Sequence, residues 1–560
     1  MADASVNRLD AVPPRDPNAP VFVAYPTRTK LLILAGVLIG LLMAALDQTI
    51  VATALPRVVA DLGGFDRFAW VFTAYMLAST ALIPVMGKLS DMYGRKWVYV
   101  GGMVVFMAGS MLSGTSQSMD QLIVFRGVQG VGAAALMGNA FTVLADLFEP
   151  ADRGKWQGLF GGVFAIASVI GPVTGGYLTD NLDWRWIFYL NLPIGALAIA
   201  VLVANMPSVK HTGSRGSIDY VGAAALVAGV VPLLLALTWA GNLYAWWSMQ
   251  IIGMLAWSGL MLPTFLLIER SAAEPIIPLW VFRNSVYSVS IVATFMTGLG
   301  MFGAVVFIPL FVQGVGGVSA TNSGAVIIPM SLSIVVSSTI AGQLISRTGH
   351  YKVFGSGGLA IMAVGLYLLS QVDESTTTTT IVQNLMVVGF GLGTTFPVYL
   401  IAVQNAFEQR VMGTVTSTTQ FFRQIGGTIG VAIMGSLVAT GVQRGVREGL
   451  EGTLEEVLPK GVREALESPQ LLIDVAGRTG IADELAGEAG RADAFANAVE
   501  LLRVSLADAV GDVFLLSLVF VSVAFIASLF LRELPLKGMA PRRRERALAS
   551  TGEPAQEPSG

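Results

Sequence analysis

The chain of 560 residues is 54% hydrophobic and only 13% charged, with a net charge of −3. A soluble protein carries about 25% charged residues and cannot bury this much apolar surface, so the composition indicates a membrane protein. The scattered basic residues argue against a nucleic-acid partner, and the lack of Cys excludes disulfides and thiol catalysis. Only two His are present, both in predicted loops, which argues against a metal site.

Fourteen segments are long and apolar enough to cross a bilayer, which takes about 20 residues. The first follows a polar, Pro-rich tail at 1–30 and is too long for a signal peptide. The alternating pattern of a membrane β-barrel is absent, so an all-α integral membrane fold is predicted. The spans are expected at 31–54, 68–87, 97–115, 121–145, 157–179, 186–206, 219–239, 247–268, 286–312, 321–345, 353–371, 379–404, 415–440 and 510–532.

Lys and Arg gather in alternate loops, as at Lys88 and Arg153, and in a basic tail at 533–560. The intervening loops near 241–246 and 313–320 carry no charge. Because the excess of Lys and Arg marks the cytoplasmic side, both termini are expected in the cytoplasm of a cell (inner or plasma) membrane. This orientation requires an even number of spans, which fourteen satisfies, although twelve would also.

Two parts of the chain resemble each other at a nearly constant separation. Gly87-Lys-Leu-Ser-Asp-Met-Tyr-Gly94 matches Gly342-Gln-Leu-Ile-Ser-Arg-Thr-Gly349, 255 residues later. A second set recurs at 259 residues, in which Gly154, Gly171, Gly176 and Leu178 correspond to Gly413, Gly430, Gly435 and Leu437. The duplication predicts two six-helix halves, 31–206 and 286–532, related by an axis along the membrane normal, with two additional spans at 219–268 between them.

The segment 442–509 differs from the rest because it is charged and has apolar residues at helical spacing. The number of preceding spans places it outside the cell, and long loops cross the membrane regardless of their charge. Two interpretations remain open: a passive amphipathic connector, or a lid or docking element for a partner.

The loop that starts at Gly87 combines features of a structured turn. Gly87 and Gly94 permit a tight turn, and Asp91 is expected to cap the next helix. Arg95 and Lys96 are expected to hold the loop at the cytoplasmic face. The alternative is an ordinary basic loop.

This loop resembles the signature loop of the major facilitator superfamily, in which acidic and basic residues form a cytoplasmic gate that stabilises the outward-open state. The second copy departs from that pattern, because Ser346 stands in place of the acid and His350 in place of the Arg. A charged gate is therefore expected in the first half only.

An Arg inside a membrane span is costly and marks a functional position, and Arg126 lies in the fourth span. Arg126-Gly-Val-Gln129-Gly is similar to the fourth-helix motif of the superfamily, whose Arg is linked to proton transfer. Asp47 is the one carboxylate well inside a predicted span, at a depth that would let it pair with Arg126. We expect Asp47 to be the proton-linked acid and Arg126 its partner; a permanent structural ion pair or a snorkelling Arg126 are the alternatives.

The fifth span contains Gly171-Pro172-Val-Thr-Gly175-Gly176, which is expected to kink the helix and to let a neighbour pack closely. It resembles the antiporter motif of drug exporters; a generic kink is the alternative. Trp184-Arg-Trp-Ile-Phe, with Asn191 and Pro193, and the whole membrane portion resemble the fourteen-span drug:proton antiporters of the EmrB/QacA type.

Other polar and aromatic residues of the spans are candidates for the wall of a substrate cavity, with lipid-facing or packing roles as the alternative. They are Gln48, Trp70, Tyr75, Gln129, Asn139, Phe302, Phe307, Tyr399, Gln404, Asn405 and Arg423. Arg423 has no acid at matching depth, so carbonyl groups or an anionic substrate are left to satisfy it.

The resemblance implies a proton-coupled exporter of small lipophilic compounds, typically multidrug efflux, that uses the proton gradient and no cofactor. The sequence contains neither a P-loop nor a nucleophile elbow, so we expect no enzyme activity. A monomer is expected. The alternatives are a dedicated exporter of a lipid, siderophore or biosynthetic product, and a membrane receptor or scaffold that does not transport.

Overall fold

The computed structural model describes residues 25–63, 67, 70–208, 218–241, 243–317, 325–450, 457–466, 470–473, 475–485 and 490–537. Eighteen α-helices account for the regular structure within these ranges, apart from two short 3-10 turns and one isolated bridge. Fourteen candidate membrane spans are found among the described residues, as predicted. The chain is therefore an all-α, multi-pass membrane protein.

The first seven helices form the N-terminal half. Their bounds are α1 Thr27–Leu62, α2 Trp70–Tyr93, α3 Arg95–Gly114, α4 Met119–Leu147, α5 Pro150–Asn181, α6 Trp186–Tyr189 and α7 Asn191–Asn205. The sixth span consists of α6 and α7 together, with Leu190 at their junction. The fifth span was predicted from 157, but α5 begins at Pro150, because its polar first turns lie beyond the apolar stretch that hydropathy detects.

The remaining helices form a linker, the C-terminal half and an extension. The linker pair is α8 Tyr220–Trp239 and α9 Met249–Ser271. The C-terminal half comprises α10 Ser285–Gly314, α11 Ile327–Thr348, α12 Lys352–Leu369, α13 Thr378–Ala406, α14 Met412–Leu450 and α18 Arg491–Leu529. Between the last two lie three short helices, α15 Lys460–Leu466, α16 Gln470–Ile473 and α17 Val475–Leu485.

The two halves pack in the same way. In the first, α1 contacts α5 and α7, and α4 contacts α2 and α3; in the second, α10 contacts α14 and α18, and α13 contacts α11 and α12. The halves meet along two equivalent seams, α2 against α14 and α5 against α11. This arrangement is what the internal repeat predicts.

The face at which α1 begins and α18 ends is called the tail face, and the opposite face the distal face. Near the tail face, each seam contains a pair of glycines in backbone contact: Gly87 with Gly413, and Gly154 with Gly342. A Cβ at Gly413 would lie 2.7 Å from the Gly87 carbonyl oxygen. These four glycines are the repeat-related residues of the sequence, so the duplication has preserved the two points where the halves touch.

The linker helices contact both halves. At the distal face Trp70 of α2 packs edge-on against Trp239 of α8 at 5.1 Å, and the Trp246 indole donates to Ser436 of α14 at 3.0 Å. At the tail face Lys88 forms an ion pair of 2.7 Å with Glu274. The linker is thus attached at both faces.

The segment 442–509 does not form the separate loop that was predicted, because α14 continues to Leu450 and α18 begins at Arg491. The two helices extend side by side beyond the distal face of the bundle. The distal part of α14 carries three glycines at intervals of four residues. Each lies against α18: Gly441 against Ala509, Gly445 against Ser505 and Gly449 against Leu501. The three short helices belong to this extension, and Leu472 of α16 packs on Gly314 at the distal end of α10. The extension therefore packs on the C-terminal half.

The basic tail predicted from 533 begins with an ordered segment. Leu531 and Leu536 are buried, and the Leu534 amide donates to the Tyr351 hydroxyl at 2.7 Å. Asn405 donates to the Pro535 carbonyl at 3.1 Å. The chain is thereby fixed across the tail face of the C-terminal half as far as Lys537, and the rest of the predicted tails lies outside the described residues.

Candidate functional site

Asp47 lies in the middle of the N-terminal half with 1% of its side chain exposed. The unbroken helix α1 places it opposite α4, which carries Arg126. Arg126 Nη1 and Asp47 Oδ2 are 2.5 Å apart, and Arg126 is fully buried. The two residues are therefore in contact, as their depth in the sequence suggested.

The other carboxylate oxygen of Asp47 receives two amide hydrogen bonds. Gln129 donates to Oδ1 at 2.8 Å and Asn191 at 3.2 Å. Asn191 also donates to the Ser110 hydroxyl at 2.9 Å, which links α7 and α3 to the pair. A buried carboxylate must be compensated in this way, because removing a charge from water costs on the order of several kcal/mol.

Arg126 is held from several sides. Nη1 also donates to Gln129 at 2.6 Å, Nε donates to the Val71 carbonyl at 3.2 Å, and the guanidinium lies 4.4 Å from the centre of the Tyr75 ring. Nη2 has no hydrogen-bond partner among the described residues. Gln129 and Tyr75, expected in a substrate cavity, thus belong to the surroundings of the ion pair.

The glycine-rich motif of α5 packs on α1 beside Asp47. Any side chain at Gly171 would clash with Thr49, and any at Gly175 would clash with Thr53. The Thr49 hydroxyl donates to the Ala167 carbonyl at 3.0 Å, across the same contact. The motif therefore permits the predicted close approach of a neighbouring helix.

The remaining two residues of this motif have no such contact. Pro172 is exposed and Gly176 has open space around it. α5 continues as one helix through Pro172 to Asn181. The close packing therefore depends on two of the four residues.

Asp91 closes the tail face, but not as predicted. It was expected to cap the next helix, α3; instead it accepts hydrogen bonds from the Gly413 amide at 2.8 Å and the Thr414 amide at 2.7 Å, at the first turn of α14. An anion is stabilised at a helix N-terminus, and here that helix belongs to the other half. Sequence could not show this, because the partner lies 322 residues away.

Arg95 is buried with 3% exposed. It pairs with Asp91 at 2.6 Å and with Asp146 at 2.9 Å. Asp146 in turn accepts from Gln409 of the C-terminal half. Lys96 donates to the Val203 carbonyl at 2.9 Å and so binds α3 to α7 within the N-terminal half.

A second polar group joins the halves beside the first. The Gln404 amide donates to the Phe141 carbonyl at 3.3 Å and accepts from Arg153 at 3.4 Å. Gln404 is therefore part of the tail-face closure and not of a substrate cavity. Asp146, Gln409 and Arg153 were not predicted as site residues; a search for charged residues next to predicted span ends would have found Asp146 and Arg153, but not the uncharged Gln409.

The repeat-related loop of the C-terminal half has no counterpart of the Asp91 contact among the described residues. His350 lies 3.1 Å from Glu533, within the same half. The seam there depends on the Gly154–Gly342 contact. A charged gate was expected in the N-terminal half and not in the C-terminal half, and this geometry agrees with that expectation.

The Trp184 motif ties the distal ends of the N-terminal half together. Trp184 Nε1 donates to Asp61 at 3.0 Å, and Arg185 does so at 3.1 Å. The hydrogen bond from Trp184 and, to a smaller extent, that from Arg185 lower the pKa of the Asp61 carboxyl below its usual value. The motif therefore binds α1 to the start of the sixth span.

The comparison with known proteins agrees with this architecture. The family model of the Major Facilitator Superfamily matches residues 37–431. The chain belongs to the Major Facilitator Superfamily. Its relatives include the Multidrug transporter protein MdtP of Bacillus subtilis (strain 168), which is 36% identical over 94% of this chain and 98% of its own length. Multidrug resistance protein 3 of the same organism is 37% identical over 92% of this chain and 98% of its own.

Solved structures share the fold of this major facilitator at much lower identity. The proton:xylose symporter XylE is 11% identical, with a TM-score of 0.56 over 92% of this chain and 100% of its own. At that identity the similarity establishes the fold alone. The protein is therefore a multi-pass transporter of the superfamily whose curated relatives include multidrug transporters.

The structure places several cavity candidates of this major facilitator elsewhere. Trp70 packs on the linker, Asn139 donates to the Met86 carbonyl of α2, and Asn405 holds the ordered C-terminal segment. Tyr399 and Phe307 lie in the hydrophobic core of the C-terminal half. Hydropathy gives the depth of a residue but not the helix face on which it lies, so these contacts could not be predicted from the sequence.

Three candidates remain partly accessible within the bundle: Gln48, Phe302 and Arg423. Phe302 of α10 packs on Gly427 of α14. Arg423 lies over the Phe396 ring, 4.3 Å from its centre. These positions between α1, α10, α13 and α14 are the candidates for contact with a transported molecule.

Proposed function

We propose that this major facilitator is a proton-coupled exporter of small lipophilic compounds. The observation that carries the proposal is the buried Asp47–Arg126 pair, in which one carboxylate at membrane depth is held by three side chains from two other spans. The near full-length similarity to two multidrug transporters supports the direction of transport and the breadth of substrates.

In this proposal, protonation of Asp47 removes the charge that Arg126 and the two amides hold in place. Each of those contacts weakens, because hydrogen bonds to a charged group are roughly twice as strong as neutral ones. α1 is then freer to move relative to α4 and α7, while Thr49 and the α5 glycines transmit the movement to the seam with α11. Proton binding and the exchange of access are thereby coupled.

The proposal assigns the tail face to the cytoplasm of the cell membrane, with both termini there, and treats the protein as a monomer. The described contacts close this face, so in this proposal the structure is a state in which the space between the halves is closed to the cytoplasm. The basic residues on the tail face support the assignment, since cytoplasmic loops carry the excess of Lys and Arg.

The test compares Asp47→Asn with Asp120→Asn in liposomes that carry a pH gradient. Asp120 is a surface acid paired with Arg67, 69% exposed, and its loss should cost little. Asp47→Asn should bind a lipophilic dye in detergent yet lose pH-driven exchange, because the amide cannot carry the proton. Undiminished exchange by Asp47→Asn would remove this carboxylate from the mechanism.

A second measurement tests the driving force. Everted membrane vesicles that contain the protein should lose part of their acidic interior when a dye or drug from a broad panel is added. A response to a single compound class would favour a dedicated exporter, and no response to any compound would count against multidrug export.

A further inference from the structure

Arg423 differs from the other arginines that lie deep in the two halves. Arg126, Arg95 and Arg153 are fully or almost fully buried, and each has carboxylate, amide or carbonyl partners. Arg423 is only partly buried, and no acid or hydrogen-bond acceptor contacts its guanidinium among the described residues. An arginine at membrane depth without a counter-charge is costly and is a functional position by default.

The surroundings place Arg423 between the two halves. Its guanidinium lies over Phe396 of α13, and Phe396 is 6.2 Å from Phe141 of α4, which stacks on Phe160 of α5 at 4.5 Å. Phe396 is partly exposed beside Arg423, whereas Phe141 and Phe160 are buried behind it in the N-terminal half. The residue therefore faces the space between the halves and not the lipid.

Arg423 also lies above the closure of the tail face. It is ten residues beyond Gly413 on the continuous helix α14, which corresponds to about 15 Å along the helix axis. Arg423 therefore lies well inside the membrane, at a distance from the contact of Asp91 with the first turn of α14. A molecule held there would be enclosed from the tail side.

The charge of this space is positive. Asp47, the deep carboxylate of the N-terminal half, is already neutralised by Arg126. Asp146 is paired with Arg95 and accepts a hydrogen bond from Gln409. A guanidinium stacked on a ring keeps its in-plane N–H groups free, and their fork matches the two oxygens of a carboxylate. Phe396, which is partly exposed, offers apolar surface next to those donors.

We propose that Arg423 is the anion-binding element of the transport site and that the protein preferentially takes lipophilic aromatic acids. The acidic group of the cargo pairs with Arg423, and its rings lie against the partly exposed ring of Phe396. The inference rests on the proposed transport function, and it names the class of cargo that this function serves.

The experiment measures binding of two probes with one aromatic skeleton, 1-pyrenebutyrate and the neutral 1-pyrenebutanol. Binding is followed by energy transfer from tryptophan in nanodiscs of zwitterionic lipid, with empty nanodiscs subtracted. The wild-type protein should bind the acid at least tenfold more tightly than the alcohol. Arg423→Gln should abolish this preference by weakening the acid alone, and Arg423→Lys should retain part of it.

The matched control is Arg410→Gln, which removes an arginine that is 73% exposed at the tail face and should leave the preference unchanged. Arg423→Gln leaves no partner unsatisfied, so it should fold, and its melting temperature checks this point. Equal affinities of the wild type for acid and alcohol, or an unchanged preference in Arg423→Gln, would overturn the proposal.

Two further arms identify the source of the anion. Inorganic phosphate, or anionic lipid in the nanodisc, should not displace 1-pyrenebutyrate; displacement by either would assign Arg423 to phosphate and overturn the assignment to cargo. Binding needs no proton gradient, so its outcome is independent of the liposome exchange. If the liposomes show no pH-driven exchange but the protein still prefers 1-pyrenebutyrate to 1-pyrenebutanol, only the proton coupling is refuted.

Discussion

At the scale of single residues, the buried charges of this transporter serve two separate purposes. Asp47 and Arg126 form a pair inside one half, whereas Asp91 and Arg95 bring one half to the first turn of a helix in the other. The second arrangement exists only while the halves touch at the tail face. Its strength therefore sets how often that face opens.

Asp91→Asn should make the tail face open more often. The amide keeps the shape of the side chain but loses the charge that Arg95 and the α14 N-terminus stabilise, at a cost of about 1 kcal/mol, as for a lost helix cap. The wild-type chain has no Cys, so Ser417→Cys, buried at the seam between α2 and α14, is a single reporter. Its labelling by a maleimide should accelerate about fivefold.

Asp152→Asn is the matched control, because Asp152 is an acid of the same face that pairs with Lys155 inside α5. This variant should leave the labelling rate of Ser417→Cys unchanged. An Asp91→Asn protein that labels no faster than its parent would show that the contact with α14 does not hold the face closed.

At the scale of helices, small residues decide where two helices approach most closely. The α14–α18 extension has three glycines in register against α18, spaced by four residues as in other close helix pairs. The sequence contains this pattern at Gly441, Gly445 and Gly449, but the segment was predicted as a loop from its charge and its apolar spacing alone, without regard to its glycines.

Gly445→Leu should separate the two helices of the extension. The new side chain would meet Ser505, where a Cβ would already lie 2.5 Å from its hydroxyl, and overpacking of this kind costs about 1–3 kcal/mol. Amide hydrogen exchange should accelerate in 442–450 and 490–509. Gly461→Leu, at a helical glycine with open space around it, should leave exchange there unchanged; equal effects of the two variants would refute the packing argument.

At the scale of the molecule, the two seams allow the halves to move against each other. Each seam has one glycine–glycine contact near the tail face, and most of the core of each half forms its own hydrophobic cluster, while smaller clusters join the halves along the seams. Motion of rigid halves preserves the internal packing of each, so only the seam residues experience the change of state. The linker is attached to the N-terminal half by the Lys88–Glu274 ion pair and to the C-terminal half by the Trp246–Ser436 hydrogen bond.

Gly342→Ala should prevent closure of the tail face without unfolding either half. The added methyl group would clash with the Gly154 carbonyl, and backbone cannot move aside as a side chain can. The distance between spin labels at Lys155→Cys and Lys352→Cys should lengthen, and transport should fall at least tenfold. Gly357→Ala, where the methyl group meets nothing within 4 Å, is the control; an unchanged distance in Gly342→Ala would contradict the seam assignment.

The sequence by itself determined the features that depend on composition and repetition. Hydropathy fixed the number of spans, because lipid imposes the same length and apolarity on each. The repeat gave the two halves, and the depth of Asp47 and Arg126 suggested their pairing. The family resemblance rested on loops and motifs that are local in the chain.

Only the tertiary structure decided which distant residues meet and which face of a helix is used. Asp91 caps α14 and not α3, Gln404 closes the tail face, and Tyr399 lies in a core, since each outcome depends on how helices rotate and pack. Hydropathy carries no information on that rotation, because a helix buried among other helices is apolar on all sides.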